Sequence, residues 1–490
     1  MTELMLLPAV ELARMIREGE VSASELLEQA IDRYERFNDQ VNAVVVTRLD
    51  QARARAVEAD KATARGELWG PLHGVPTTIK EAYDWSDTPS TWGVPAFADN
   101  VPGKRATPQG NAAAVQRLLD AGAIIWGKTN VPWKLADWQT FNDIYGCTNN
   151  PWDLKRVPGG SSGGSAVALA TGMSAMELGS DIGASIRNPA HYCGVFGHKP
   201  SFGVVPVDGH RAPGEEVDLD IAVCGPLTRT AEDLDLALTI LAGRDDLDAR
   251  GWTTTLPSEE RTSLSDFSVA VQMDSPVLDN DAEMVQQLEA TIGVLEAAGL
   301  RVNRTARPDI DQVEFHNNYL MLLRAATGAA TDDAGFEAAA AGAARWDAGD
   351  RDYEALVDHA IRMSHTEWFR HHNQREIYRR KWEEFFESFD LLLCPAASSA
   401  AFPHDHKGPR ARRTITVNGA DQPVVDQLFW AGWSCNVYLP GTVAPAGLTA
   451  SGLPVGLQIV APFLHDRRSI RFAQLMEQTV GGFVPPPDFL

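Results

Sequence analysis

The sequence has few cysteines, no long apolar run and a deficit of positive charge, and each shortage excludes a class of protein. Its five cysteines are odd in number and form no CxxC pair, which fits neither a disulfide framework nor a zinc cluster. No stretch reaches the roughly 18 apolar residues of a membrane-spanning helix, and no basic region precedes the short apolar stretch near the N-terminus, unlike a signal peptide. These features predict a cytoplasmic protein with reduced thiols.

The charge balance excludes further partners. Lysine and arginine number 43 against 66 aspartate and glutamate residues, which gives a formal net charge of −23. A surface of this sign repels phosphate backbones and anionic membranes. We therefore expect neither nucleic acid nor a membrane as a partner, and the sequence leaves open whether the chain forms a homo-oligomer.

The composition is that of an ordinary globular protein, with 44% hydrophobic and 22% charged residues in a chain of 490. Short β-branched runs, such as residues 43–46 and 123–126, alternate with amphipathic helical stretches. One such stretch, residues 22–37, begins with a capping box of Ser22 and Glu25. This alternation is typical of an α/β sheet, and one large domain can accommodate all of these elements.

The most unusual local feature is the run GGSSGGS at residues 159–165, which leaves backbone N–H groups free to face a ligand. It lacks the Lys-Ser or Lys-Thr of a phosphate-binding loop. It also matches the nucleophile elbow of an α/β-hydrolase, centred on Ser161 or Ser162, but the two prolines and three charges before it make a poor buried strand. A flexible linker is the third alternative.

A second serine and a lone lysine offer another chemistry. Ser185 follows small residues in the stretch 181–187, so successive N–H groups there can converge on one oxygen. Lys80 ends the largely apolar run 74–79, which is typical of a buried strand end. A desolvated lysine serves as the base for a serine if burial lowers its pKa from about 10.4 toward 7 or 8.

Further motifs stand in a fixed order around these residues: GAIIWGKTN at 122–130, YGCTNNPW at 145–152 and LPGTVAPAGLTASGLPVGLQIV at 439–460. With them the chain resembles the amidase signature family of serine hydrolases, most densely from 70 to 205. The resemblance implies a single large α/β domain with a central mixed β-sheet flanked by helices, and a helical insertion over the active site.

The resemblance also implies roles for individual residues. Ser185 corresponds to the nucleophile that forms an acyl-enzyme, Ser161 to a bridging serine beside a cis peptide bond, and Lys80 to the general base. The family's oxyanion hole corresponds to Ile182, Gly183 and Ala184 with the Ser185 N–H. Two supporting side chains correspond to Ser162 and Arg187. A substrate groove, matched more weakly, corresponds to Leu135, Ala136 and Trp138.

Two positions depart from the family pattern. Ala184 replaces the usual glycine, which restricts positive φ and puts the fine geometry of the oxyanion hole in doubt. Ser180 stands where threonine is common and keeps the hydroxyl group. Neither change removes a reacting group.

The expected organisation has an N-terminal helical lead-in over 1–65 and the amidase signature α/β domain over 66–490. Within the latter, composition changes between about 330 and 385, first rich in alanine and then in charged and aromatic residues. We expect 300–385 to form a variable helical cap and 386–490 to return to the sheet.

The predicted function is hydrolysis of a carboxylic amide C–N bond in a small molecule, without a cofactor. The same chemistry allows a carbamate or ester hydrolase, and a different class is the amidase-type subunit of a glutamine-dependent tRNA amidotransferase. A non-catalytic binding protein is a third class. No metal is expected, because no HExxH or comparable spacing organises the histidines, which include His371, His372, His404 and His406.

Overall fold

The computed structural model describes residues 3–101, 107–245, 247–347 and 352–490, and a large mixed β-sheet runs through that part of the chain. The strands of the described residues are, in chain order, β1 (Val44–Thr47), β2 (Pro76–Lys80), β3 (Ile124–Thr129), β4 (Phe141–Asn142), β5 (Gly146–Cys147), β6 (Glu177–Asp181), β7 (Phe196–Lys199), β8 (Val223–Thr228), β9 (Ser268–Val271), β10 (Arg301–Asn303), β11 (Leu391–Pro395), β12 (Thr414–Val417), β13 (Ala420–Pro423), β14 (Gly441–Leu448) and β15 (Pro454–Val460).

Eleven of these strands form the main sheet, in the order β1-β3-β2-β6-β8-β7-β14-β15-β11-β9-β10 within the described residues. Two parallel groups, β3-β2-β6 and β11-β9-β10, are joined by antiparallel strands. The inner strands are buried on both faces, which explains their continuous rather than alternating apolar character. The pairs β4-β5 and β12-β13 form two small hairpins.

Helices flank the sheet and give a single-domain α/β fold. They are α1 (Ala9–Arg17), α2 (Ala23–Val41), α3 (Leu49–Ala64), α4 (Ala113–Asp120), α5 (Gly163–Ala170), α6 (Arg187–Cys193), α7 (Ala231–Leu241), α8 (Ala282–Ala297), α9 (Gln312–Gly328), α10 (Asp333–Ala338), α11 (Ala340–Ala343), α12 (Tyr353–Ile361), α13 (His365–Phe386), α14 (Leu428–Cys435) and α15 (Asp466–Val480). Among the helices described, none has both the length and the apolar character that crossing a membrane requires.

Local sequence signals explain several element boundaries. The predicted capping box is confirmed at the start of α2, where Ser22 Oγ accepts the Glu25 N–H at 3.0 Å and the Glu25 carboxylate accepts the Ser22 N–H at 2.8 Å. The strand expected at 43–46 is β1, which pairs with β3. The lead-in therefore also contributes an edge strand to the sheet.

The expected helical cap at 300–385 differs at its start. Residues Arg301–Asn303 form strand β10, which pairs parallel to β9 at the sheet edge, so the helical part begins only with α9. The apolar face of α9 explains the position of the cap, because Tyr319 and Leu323 pack in one buried cluster with Leu428 of α14 and Ala184. The cap thus rests directly on the loop that carries Ser185.

Candidate active site

The centre of the site is Lys80, the last residue of β2, which lies between β3 and β6. Its side chain is fully buried. The amine Nζ lies 2.6 Å from Ser161 Oγ, 2.9 Å from Ser180 Oγ and 3.1 Å from Ser162 Oγ. Burial lowers the pKa of Lys80 from 10.5 to about 7, against weaker opposing effects of neighbouring acidic groups. Near neutral pH a substantial fraction of the lysine, about half at pH 7, is therefore neutral.

The glycine and serine run forms a buried turn that leads into α5. A Cβ atom at Gly160 would collide with the Asp137 carbonyl oxygen, and one at Gly163 with the Thr140 side chain. The Gly160–Ser161 peptide bond is cis. The linker alternative is wrong because the whole run is buried. The nucleophile-elbow alternative is also wrong, because within the described residues no strand leads directly into the run.

Ser185 stands in the loop between β6 and α6, and Asp181 holds this loop in place. The Asp181 carboxylate accepts the backbone N–H of Ala184 at 2.9 Å and that of Ile186 at 3.1 Å. Arg187 Nε donates to the same carboxylate at 3.0 Å. Burial raises the pKa of Asp181, but the charge and hydrogen bonds of Arg187 outweigh it and lower the pKa below its ordinary 3.8.

Arg187 ties the loop to the far half of the chain, as the sequence predicts for a supporting residue. Both it and Asp181 are fully buried. Its Nη1 donates to Ser434 Oγ at 2.9 Å and to Gln458 Oε1 at 2.5 Å. Because Arg187 donates to side chains of both α14 and β15, the position of the loop that carries Ser185 depends on both elements.

Two aromatic side chains fix the carbonyl groups that precede Ser185. Trp138 Nε1 donates to the Gly183 carbonyl at 2.8 Å, and the Tyr319 hydroxyl donates to the Ile182 carbonyl at 3.0 Å. A trans peptide directs its N–H opposite to its C=O. The Tyr319 bond to the Ile182 carbonyl therefore leaves the Gly183 N–H directed away from the Tyr319 hydroxyl.

The backbone N–H groups around Ser185, which the resemblance assigns to an oxyanion hole, differ in their partners. The Ala184 N–H donates to the Asp181 carboxylate at 2.9 Å. Within the described residues, no protein group accepts the N–H groups of Ile182, Gly183 and Ser185. These three donors remain available to a ligand.

Ala184 adopts the conformation that its glycine counterpart would favour. Its φ is +67°, in the left-handed region, which costs a non-glycine residue on the order of 1–3 kcal/mol. The Ala184 methyl group packs in the buried cluster with Tyr319 and Leu428. The backbone path is thus kept despite the alanine, and the cap supplies part of the compensation.

A cavity of about 280 Å³ opens above these groups. Ser161, Ser180 and Ser185 line its base, which we call the catalytic floor together with Lys80 and Ser162. All three residues predicted for the substrate groove, Leu135, Ala136 and Trp138, lie on its wall. The wall is mainly apolar and aromatic.

Another part of the cavity lining is formed by residues that no motif indicates. We call this part the mouth, and it consists of Trp133, Leu323, Arg324 and Arg410. Arg324 Nε donates to the Tyr353 hydroxyl at 2.7 Å, and Arg410 Nη1 donates to the Ala136 carbonyl. No ion pair is described for either arginine, although Asp137 lines the same cavity. Burial lowers the pKa of Arg410, and the charge of Asp137 opposes this effect.

Sequence reasoning missed the cap-derived residues because they come from segments without motifs. Tyr319 and Arg324 belong to α9, and Arg410 to the loop before β12. A helical apolar period in α9 could have indicated that Tyr319 faces the core. His210, whose ring packs between Tyr83 and Trp92, is also a cavity residue, and burial lowers its pKa to about 3.

The chain also matches a known protein family. The family profile described as Amidase matches residues 25–470. The chain belongs to the amidase signature family. An indoleacetamide hydrolase of Bradyrhizobium diazoefficiens is 33% identical over 485 residues, covering 96% of this chain and 86% of the relative. A glutamyl-tRNA(Gln) amidotransferase subunit from Synechococcus sp. is 31% identical over 494 residues, covering 97% of this chain and 96% of the relative.

Among solved structures, a bacterial aryl acylamidase of the amidase signature enzymes is similar, with a TM-score of 0.79 at 23% identity, covering 97% of this chain and 96% of that one. The likeness shows a shared fold. As an amidase signature enzyme, the protein is an amidohydrolase, a hydrolase that acts on C–N bonds other than peptide bonds.

Proposed function

We propose that this amidohydrolase works through an acyl-enzyme on Ser185, with Lys80 as the general base and Ser161 as the proton relay. The observation that carries the proposal is the 2.6 Å contact between Lys80 Nζ and Ser161 Oγ in a fully buried setting. A neutral amine has two N–H donors and one lone pair, which match the three surrounding hydroxyl groups. The lone pair accepts the Ser161 proton, while Ser162 and Ser180 orient the amine.

In acylation, Lys80 takes the proton of Ser161, and Ser161 takes the proton of Ser185 as Ser185 Oγ attacks the amide carbonyl. The carbonyl oxygen becomes an oxyanion, which the N–H groups of Ile182, Gly183 and Ser185 stabilise. The C–N bond then breaks, and the leaving amine receives a proton back along the relay. Deacylation repeats the sequence with water as the nucleophile and releases the carboxylic acid.

The substrate we propose is an amide of a small, flat, apolar acyl group. The cavity volume of about 280 Å³ lies just below the usual range of ligand sites, which is about 300–1,000 Å³. Trp133, Trp138 and Leu323 supply apolar contact area, and the indoleacetamide hydrolase is a relative with an aryl acyl group in its name. Arg324 and Arg410 would bind polar acceptor atoms of the substrate at the mouth.

Carbamates and esters present a carbonyl to the same relay, and they remain candidates within this chemistry. The relatives that are amidotransferase subunits raise glutamine as another candidate. We place the reaction in the cytoplasm, because all five cysteines are free thiols. A matched series of aryl-acetyl amide, carbamate and ester, together with glutamine and a long-chain acyl amide, ranks these substrates by kcat/KM.

Active-site labelling tests the mechanism without knowledge of the substrate. A fluorophosphonate should modify the enzyme at one residue, Ser185, as shown by intact mass and peptide mapping. Ser185→Ala should abolish labelling, and Lys80→Ala should slow it strongly. Labelling at Ser161 or Ser162 in the wild type, or unchanged labelling in Lys80→Ala, would overturn the proposal.

A further inference from the structure

Outside the hydrolytic site, one thiol and two imidazoles converge near the surface. Cys147 Sγ lies 3.7 Å from His404 Nδ1 and 3.8 Å from His406 Nε2, and all three atoms lie within 4.8 Å of one another. We propose that Cys147, His404 and His406 bind one Zn²⁺ ion. The proposal is independent of the catalytic mechanism, since none of the three residues belongs to the catalytic floor.

The distances agree with a tetrahedral ion. Zinc binds cysteine sulfur at about 2.3 Å and histidine nitrogen at about 2.0–2.1 Å, so tetrahedral angles place sulfur and nitrogen ligands about 3.6 Å apart. The two observed sulfur–nitrogen distances come within about 0.2 Å of this value. Without an ion, the thiol could donate to one ring nitrogen and accept weakly from the other, so the zinc content of the protein decides between hydrogen bonding and coordination.

Contacts that involve no ion hold the ligands in these positions. Cys147 is in β5, paired with Phe141 of β4, and the His406 ring stacks on the Phe141 ring with centroids 3.9 Å apart. The backbone of Asp405, between the two histidines, exchanges two hydrogen bonds of 2.8 Å with the Gln139 side chain. Such preorganisation lowers the cost of assembling a metal site.

The coordination would be three protein ligands with water in the fourth position. His406 is exposed, which gives water access to the ion, whereas Cys147 and His404 are half-buried. Cysteine sulfur together with histidine nitrogen favours Zn²⁺ over Mg²⁺ or Ca²⁺, which prefer oxygen ligands. Sequence spacing could not indicate this site, because 257 residues separate Cys147 from His404.

The ion would fasten the loop that carries both histidines to the wall of the cavity. This loop continues to Arg410 and Arg413, which bond to the Ala136 carbonyl and the Asp137 carboxylate. Zinc would therefore connect the β4-β5 hairpin to the loop that presents Arg410 at the mouth. Its role is structural, and we expect its loss to affect the mouth rather than the catalytic floor.

The test uses the full-length enzyme, stripped of metal by a chelator and then dialysed against Zn²⁺. We expect one zinc per chain in the wild type and in the control His365→Ala, which removes an exposed histidine elsewhere. Cys147→Ser and His404→Ala should bind zinc more than about 100-fold more weakly, since even outer partners of metal ligands are worth about 10- to 100-fold. Cobalt substitution should give a thiolate-to-cobalt absorption band that Cys147→Ser lacks.

Thermal unfolding separates a failed site from a misfolded variant. Zinc should raise the Tm of the wild type and of His365→Ala, and leave the Tm of Cys147→Ser unchanged. If metal-free Cys147→Ser unfolds near the metal-free wild type, the variant is folded and its zinc content is decisive. Equal zinc stoichiometry in the wild type and both ligand variants, no uptake by the wild type, or a cobalt spectrum without the thiolate band would overturn the proposal.

Discussion

The catalytic floor and the mouth of the cavity differ in how completely their polar groups are satisfied. In the floor, Lys80 contacts three hydroxyl groups. Beneath the floor, Asp181 and Arg187 form a buried ion pair that holds the loop that carries Ser185. At the mouth, Arg410 keeps a buried Nε without a protein partner, and Trp133 is 49% exposed. The polar groups of the floor are thus paired within the protein, whereas a buried donor of the mouth has no partner among the described residues. This difference fits the proposal that the floor carries the chemistry and the mouth the substrate choice.

The largest effect should follow from removing the base of the floor. Lys80→Met should lower kcat/KM by about 10⁴-fold or more, because members of one proton-transfer unit fail together. The matched control is Lys128→Met, which removes another buried lysine, whose pKa burial lowers to about 8. The control should keep kcat/KM within about tenfold of the wild-type value. A similar loss of kcat/KM in both variants would mean that removing any buried lysine lowers activity, and that the loss is not specific to Lys80.

The Asp181–Arg187 ion pair beneath the floor should show the next largest effect. Asp181→Asn leaves the buried Arg187 without its charge partner, and breaking such a pair costs about 3–5 kcal/mol of the free energy of unfolding. Denaturant unfolding measures this cost. Arg304→Ala, which breaks an exposed ion pair with Glu296, should lower the free energy of unfolding by no more than about 1 kcal/mol. Equal losses in the two variants would contradict the expected difference between a buried and an exposed ion pair.

The pH dependence should report the Lys80 pKa. Only neutral Lys80 accepts a proton, and its pKa is lowered to about 7, so kcat/KM should fall about tenfold per pH unit below 7 and level off above about 8. The profile should be measured with two substrates that differ only in the acyl group. A midpoint near the ordinary lysine value of 10.5, or one that moves with the acyl group, would contradict control by the floor.

Tyr319 connects the two regions, so its removal should have an intermediate effect. Tyr319→Phe deletes the hydrogen bond to the Ile182 carbonyl and keeps the ring. This should lower kcat up to about tenfold with little change in KM, as one hydrogen bond is worth about 0.5–1.5 kcal/mol. Tyr353→Phe, which deletes a hydroxyl bonded to Arg324 at the mouth, is the matched control. The effect of Tyr353→Phe should appear in KM. If Tyr353→Phe lowered kcat as much as Tyr319→Phe does, the effect on kcat would not be specific to Tyr319.

The smallest effect should come from the mouth itself. Arg410→Ala should change kcat/KM by a few-fold to about tenfold, with a sign that depends on whether the acyl group carries polar acceptor atoms. The measurement is the ratio of kcat/KM for a polar and an apolar acyl amide in wild type and variant. An unchanged ratio would show that substrate choice resides elsewhere.

The motifs that carry the family resemblance indicated Lys80, Ser161, Ser162 and Ser185, and the structure brings these residues to the floor of one cavity. Their catalytic roles stay predictions. The apolar run before Lys80 and the capping box at Ser22 are local signals, and local physics decides their structure. The commitment of the Ala184 N–H to Asp181 depends on a turn geometry that residue types do not reveal. The edge strand β10 was missed because three residues, with an exposed, half-buried and exposed pattern, give no hydrophobic period.

The mouth could not be predicted, since Arg324 and Arg410 reach the cavity through tertiary packing of distant segments. The contact of the cap with the loop that carries Ser185 is tertiary as well, and no spacing in the sequence encodes it. The same reason applies to the proposed zinc ligands.

The strand order also determines when the enzyme becomes active during synthesis. Strand β7 pairs with β14, and Lys199 Nζ donates to a carbonyl 240 residues later in the chain. At about 5–20 residues per second, the ribosome needs roughly 10 to 50 s to supply that partner. Until then β7 is an open edge, which invites pairing with other chains. Because Arg187 also waits for Ser434 and Gln458, the nascent chain contains every proposed catalytic residue before the loop that carries Ser185 has all of its anchors.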